Sequence, residues 1–180
     1  MPAGLLVGAP IRLALDYVPA PGATVIRFGL ISDTHGLLRP AVHQVFAGVD
    51  LILHAGDVCG DDILHELRTI APVHAVAGNC DTPGDPNLPL SFEQSFDTLR
   101  LHMSHGHELG RPKPEQLLRA YPDADIIVYG HTHRQLIVDL AGRIVINPGS
   151  AGARRFDLAP SVGIMMIEDR RISVELVELE

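Results

Sequence analysis

Lysine is almost absent from this chain: Lys113 is the single one, it follows Pro112, and it lies outside any glycine-rich loop. The GxxxxGK(S/T) cradle of phosphate-loop ATPases and GTPases is therefore missing. Basic residues of any kind are few, fourteen against twenty-two acidic ones, for a formal net charge of −8. That balance argues against a surface built to neutralise a long phosphate backbone, so no extended nucleic-acid binding is expected. Two cysteines, Cys59 and Cys80, are too few for a disulfide framework or a thiolate metal cage, and they suit a reducing cytoplasm. No apolar run approaches the roughly 18 residues of a membrane helix, and the stretch from Ala3 to Ile11 lacks a basic flank ahead of it, against a signal peptide. The expectation is a cytoplasmic protein that neither crosses a membrane nor is exported.

What is there is enough for one core: 180 residues, 46% hydrophobic and 20% charged. Residues 1–24, ending in Val18-Pro19-Ala20-Pro21-Gly22, show no sustained period and read as an N-terminal extension, part of it expected to be disordered. Residues 25–180 read as a single domain. Here apolar strand-like runs (Ile26 to Ile31, Leu51 to Leu53, Val73 to Ala77, Leu99 to Met103, Ile126 to Tyr129, Arg143 to Ile146) each lead into a short polar loop. Helices are expected at Arg39 to Ala47, Asp61 to Ile70 and Pro114 to Ala120. The carboxyl-terminal runs Leu136 to Leu140, Val162 to Ile167 and Ile172 to Leu179 read as strands, with Gly142 as a turn. Strand followed by helix gives an α/β class, and the strand-rich end implies a second sheet: two mixed β-sheets packed as a sandwich flanked by helices.

The chemistry-bearing residues sit in the loops: Asp33-Thr34-His35-Gly36, Gly56-Asp57, Gly78-Asn79-Cys80-Asp81, His105-Gly106-His107 and Gly130-His131-Thr132-His133. Loops beyond the carboxyl ends of parallel strands form the usual ligand crevice, so these dispersed residues can meet. Asp33, His35, Asp57, Asn79, His105, His131 and His133 offer carboxylate, imidazole and amide donors without thiolate. Seven ligands exceed the demand of one ion; with one carboxylate bridging, they make two sites of four, with positions open for water and substrate.

This ordered set, with Asn147-Pro148-Gly149-Ser150, resembles the calcineurin-like metallophosphoesterase superfamily and, within it, small phosphodiesterases of the YfcE type, from about Arg27 to the end. The resemblance implies the four-layer αββα fold. It implies that Asp33, His35 and His133 hold a first ion, that Asn79, His105 and His131 hold a second, and that Asp57 bridges them. It also implies two divalent transition metals, Mn²⁺ first and Ni²⁺, Co²⁺, Fe or Zn²⁺ as alternatives, with a bridging water or hydroxide as nucleophile toward a small phosphate diester. Asn79 and His105 would sit at the catalytic centre. Where much of the superfamily has histidine after the asparagine, this chain has Cys80, as the YfcE-type group does. The proton donor to the leaving group is then open between Asp81, Cys80 and water, which favours diesters with good leaving groups.

Two other readings stand beside the phosphodiesterase: a phosphomonoesterase of the same superfamily, and a non-catalytic protein-binding scaffold resembling Vps29. A metallo-β-lactamase is discarded, because Arg134, Gln135 and Leu136 follow His133, leaving glutamine and leucine where an HxHxDH motif needs aspartate and histidine. His43, His65, His74 and His102 are expected to be surface or packing residues. His54 is a candidate for orienting a ligand by hydrogen bonding, and His107 lies near the site. Cys59 is expected to be a small buried hydrophobe, and Arg154 and Arg155, after the Asn147-Pro148-Gly149-Ser150 loop, to form surface salt bridges, with holding a phosphate as the alternative. The oligomeric state stays open.

Overall fold

The computed structural model describes residues 11–13, 25–96, 98–154, 157–168 and 170–179. Its strands are β1 (Ile11–Leu13), β2 (Ile26–Ile31), β3 (Leu51–His54), β4 (Val73–Ala75), β5 (Ser91–Phe96), β6 (Leu99–Ser104), β7 (Ile126–Val128), β8 (Leu136–Leu140), β9 (Arg143–Asn147), β10 (Ser161–Glu168) and β11 (Arg171–Glu178). The helices are α1 (Ala41–Val45), α2 (Asp61–Leu67) and α3 (Pro114–Ala120), with a 3₁₀ turn at His107–Leu109.

The strands form a six-stranded sheet in the order β1-β11-β10-β2-β3-β4 and a five-stranded sheet in the order β5-β6-β7-β9-β8. In the first, β2, β3 and β4 run parallel while β10 is antiparallel to β2; in the second, β6, β7 and β9 run parallel with antiparallel edges. The expected sandwich of two mixed sheets is the observed one. Its inner layer joins Phe28, Leu30 and Leu53 of one sheet to Leu101, Met103, Ile126 and Ile146 of the other. Phe28 and Phe96 meet edge to face across it, ring centroids 4.8 Å apart. On the outer faces, α1 and α2 cover the first sheet through Val42, Phe46, Ile63, Leu64 and Leu67, and α3 covers the second through Leu117 against Ile127 and Val145. These are the four layers.

Local differences from the sequence reading have physical causes. β5 was not anticipated, because it lies at a sheet edge with most of its side chains exposed and no apolar run to announce it. The last turn expected of α2 unwinds into i→i+3 bonds, from Thr69 and Ile70 N–H to the Glu66 and Leu67 carbonyls. Within the stretch read as an extension, β1 pairs antiparallel with β11; the rest of residues 1–24 lies outside the described residues. Ala141 and Gly142, both at positive φ (56° and 80°), make the tight β8–β9 turn.

Ile126 is fully buried in the inner layer. Ile126→Ala should cost about 2–5 kcal/mol of unfolding free energy in chemical denaturation. A loss below about 1 kcal/mol would mean the sheets do not pack through this side chain.

Candidate metal centre

Six loops leave the carboxyl ends of β2, β3, β4, β6, β7 and β9 on one side of the sandwich, and the seven side chains predicted as ligands lie on five of them. Asp33, His35, Asp57, His131 and His133 all have positive φ, between 48° and 63°, so each loop turns sharply at the residue that carries a donor. Small residues make this possible. Gly56 has φ of 88°, and a Cβ there would stand 2.7 Å from His105 Nδ1. A Cβ on Gly78 would collide with the Asp57 carboxylate and backbone nitrogen.

Two tight clusters result. In one, the donor atoms of Asp33, His35 and His133 lie within 4.8 Å of one another. Asp33 Oδ1 is 3.1 Å from His133 Nε2, and the His35 and His133 Nε2 atoms are 3.3 Å apart. In the other, Asp33, Asp57 and His105 converge. Asp57 Oδ2 faces both clusters, 3.8 Å from His35 Nε2 and 3.4 Å from His105 Nε2, while Oδ1 accepts the Cys80 N–H at 2.7 Å. Asn79 Oδ1 lies 3.2 Å from His105 Nε2. The His131 ring stands beside these, 5.2 Å centroid to centroid from His105 and outside the two tight clusters.

The donors are oriented by their outer partners. Asp33 Oδ2 accepts from the Ser32 hydroxyl (2.7 Å) and the His131 N–H (3.1 Å). Oδ1, fully buried, has no hydrogen-bond donor among the described residues. His105 Nδ1 lies 2.8 Å from the Ala55 carbonyl, so it carries a proton and Nε2 is the atom facing the Asn79 and Asp57 oxygens, donating to Asp57 in the imidazolium and bare, as a metal ligand must be, in the neutral ring. Carboxylate, amide and imidazole donor atoms converging around a buried carboxylate oxygen that lacks a hydrogen bond fit divalent cations, which would replace the proton on Nε2. Asn147, of the Asn147-Pro148-Gly149-Ser150 motif, donates to the Gly130 carbonyl at 2.7 Å, and Ser150 donates to the Asp33 carbonyl at 2.9 Å, tying the last loop to the first.

Burial works against the Asp57 charge, but hydrogen bonds from His105 and the Cys80 amide outweigh it and hold the carboxyl well below the ordinary carboxylate range. Burial likewise disfavours a His105 cation, while Asp57 and Asp33 beside it raise the imidazole above its ordinary value. His131 is lowered by burial and by the neighbouring His105.

The profile of the calcineurin-like phosphoesterase superfamily domain matches residues 26–170. The chain belongs to that superfamily. A probable metallophosphoesterase of Methanothermobacter thermautotrophicus is 36% identical over 156 residues, covering 83% of this chain and 90% of the relative. A phosphodiesterase of Methanocaldococcus jannaschii is 26% identical, with 81% of this chain and 95% of that one covered. Among solved structures, Vps29 of Chaetomium thermophilum shares the fold with a TM-score of 0.77 at 22% identity, over 86% of this chain and 89% of that one.

Within this phosphoesterase domain the structure revises one expectation. Cys59 is not a buried hydrophobe: its φ of 59° turns it outward and it is exposed. Its sulfur stands 3.8 Å from His35 Nδ1 and forms a third cluster with His35 and Cys80. Partial burial and the Asp81 and Asp57 charges push its thiol up to about 11. The Asp81 oxygens accept from the Val58, Cys59 and Gly78 N–H groups at 3.2, 2.7 and 2.8 Å. Asp81 thus clamps the loops after β3 and β4. Cys80 itself is exposed at the site's rim.

Among the other histidines, His43 pairs with Glu66 on the surface at 2.8 Å, His65 Nδ1 lies 2.8 Å from the Asp61 carbonyl, and His74 and His102 stack on Phe92 and Tyr121. His107 is half-buried, its ring 5.3 Å from that of His105. Arg154 is exposed, and Arg155 lies outside the described residues. Sequence reasoning missed Arg111 and Arg134, which line the same cleft of about 540 Å³, together with Leu158. Only the folded loops bring these residues together, and no motif marked them.

His54 acts at one remove. Thr34 Oγ1 donates to the Val58 carbonyl at 3.1 Å and therefore accepts from His54 Nε2 at 3.0 Å, fixing the residue between Asp33 and His35. Burial lowers the His54 pKa to about 4. With an unfolded value near 6.5, the unfolded chain binds the proton first, so this contribution is complete above pH ~6.5 and is lost as pH falls through about 4. The metal-free protein should therefore lose on the order of 3 kcal/mol over that window through His54. His54→Gln, measured by denaturant unfolding at several pH values, should flatten this part of the profile; an unchanged slope would assign it elsewhere.

Proposed function

We propose that the protein is a dinuclear-metal-dependent phosphodiesterase acting on a small phosphate diester. The observation that carries this reading is the buried, donorless Asp33 Oδ1, with Asp57 Oδ2 facing both neighbouring clusters. Asp33, His35 and His133 would hold a first ion and Asn79, His105 and His131 a second, with Asp57 shared between them. Mixed nitrogen and oxygen donors suit Mn²⁺, our first choice, or Ni²⁺, Co²⁺, Fe or Zn²⁺. Divalent cations bound there supply Lewis acidity, acidifying water and offsetting the charge that grows on the phosphoryl oxygens.

The chain's own residues prepare that chemistry. The Cys80 N–H fixes one Asp57 oxygen and leaves the other free. The Ala55 carbonyl takes the His105 Nδ1 proton and leaves Nε2 as a donor atom. In hydrolysis the oxygen of water forms a bond to phosphorus, the bond to the leaving oxygen breaks, and a monoester and an alcohol result. No imidazole follows Asn79 to protonate the departing oxygen, and Asp81 is engaged by three backbone donors. Diesters with acidic leaving groups are therefore preferred over alkyl monoesters. The likeness in fold to Vps29 supports the alternative of a protein-binding scaffold. The full set of seven donors, which a scaffold could lose without penalty, favours the enzyme.

After chelation and Mn²⁺ reconstitution, the protein should hydrolyse bis(p-nitrophenyl) phosphate faster than p-nitrophenyl phosphate, and Asp57→Asn should lose at least about 100-fold of that turnover. No turnover of either ester with Mn²⁺, Ni²⁺, Co²⁺ or Zn²⁺, despite two bound ions, would favour the scaffold. Cys80→His should raise turnover of esters with poor leaving groups by roughly tenfold or more. A flat rate with both ions still bound would remove leaving-group protonation as the reason for diester preference.

A further inference from the structure

Several arginines elsewhere in the described fold are committed. Arg143 donates to the carbonyls of Ala124, Leu118 and Tyr121, Arg39 donates to the Gly152 carbonyl, and Arg100 pairs with Asp123. Arg111 and Arg134 are not, and their place at the cleft sets them apart from other free surface arginines such as Arg68 and Arg119. Both are exposed, both line the cleft over the candidate centre, and among the described residues neither has a hydrogen bond or ion pair. They reach it from separate loops, Arg111 between the 3₁₀ turn and α3, Arg134 directly after His133. In a chain of net charge −8, two uncommitted guanidiniums at one opening form a local positive field where the whole molecule would otherwise repel an anion.

The cleft is too large for a phosphoryl group alone. At about 540 Å³ it falls in the range of roughly 300–1,000 Å³ that encloses a ligand of drug size. Among its lining residues the acid is Asp57, which belongs to the candidate centre, and Leu158 supplies an apolar wall. The charge of the reacting diester, a single negative one, would be met by divalent ions held at that centre. The two guanidiniums are left for something else. A guanidinium presents a planar fork of donors that matches phosphate oxygens.

We infer that Arg111 and Arg134 form a second anion subsite, and that the substrate is a nucleotide-sized phosphodiester bearing a further phosphate on its non-reacting portion. This rests on the phosphodiesterase reading above. Leu158 would pack against the organic part between the two phosphates, so the cleft selects on charge at one end and on reactivity at the other.

The test uses manganese-loaded protein and three probes: bis(p-nitrophenyl) phosphate, the p-nitrophenyl ester of thymidine 5′-phosphate, and the same nucleotide ester carrying a 3′-phosphate. The 3′-phosphorylated probe should show kcat/KM higher than the unphosphorylated one by roughly tenfold or more, chiefly through KM. The double substitution Arg111→Ala and Arg134→Ala should abolish that advantage; both side chains are exposed, and a thermal unfolding scan checks that the fold is kept. Equal kcat/KM for the two nucleotide probes would overturn the proposal. So would a loss shared equally by all three, since the guanidiniums would then grip the reacting phosphate itself. If no probe is hydrolysed, the phosphodiesterase reading has failed instead. Calorimetric binding of thymidine 3′,5′-bisphosphate then decides the subsite: weaker binding by the double variant upholds it, and equal or undetectable binding overturns it.

Discussion

Two carboxylates buried at the ends of neighbouring parallel strands, Asp33 and Asp57, set the terms for the rest of this molecule. Removing a carboxylate from water costs several kcal/mol unless the protein returns compensating charge or hydrogen bonds. The chain returns only part. One oxygen of each is held by fixed donors, Ser32 Oγ and the His131 N–H for Asp33 and the Cys80 N–H for Asp57, and the other oxygen of each is left facing imidazole nitrogens. The remaining deficit is of one sign, and a cation meets it. Membership of the calcineurin-like phosphoesterase superfamily and the geometry of the clusters therefore express one electrostatic requirement.

Backbone geometry is the second cost. Asp33, His35, Asp57, Cys59, His131 and His133 all occupy the left-handed region, where a non-glycine residue sacrifices on the order of 1–3 kcal/mol. The sandwich beneath them tolerates this because its inner layer is continuous from sheet to sheet. Asp81 contributes locally, binding three backbone N–H groups of two loops at once.

Much of this was legible in the sequence, and the legible part has a common origin. Buried parallel strands such as β3 and β7 are uninterrupted apolar runs, and the donors come directly after them, so strand pattern and site pattern located one another. The features that escaped depend on side-chain direction or on distant loops. β5 is a polar edge strand with no run to detect. Cys59 follows buried Val58, and only the positive φ that sends it outward distinguishes it from a core residue. Asp81 follows Asn79 and Cys80 like one more candidate acid, and only the backbone donors around it reveal a clamp. Arg111 and Arg134 are ordinary surface arginines until the loops bring them to one cleft.

The centre straddles the sandwich. Asp33, His35, Asp57 and Asn79 come from loops of the six-stranded sheet, whereas His105, His131 and His133 come from the five-stranded one. Neither sheet alone can answer the charge it contributes. A chain in which one sheet has formed and the other has not would carry bare carboxylates or idle imidazoles, so half-assembled states gain nothing from the site. The cluster thus rewards only complete docking, which sharpens the folding transition and ties binding at the cleft to the integrity of the whole domain.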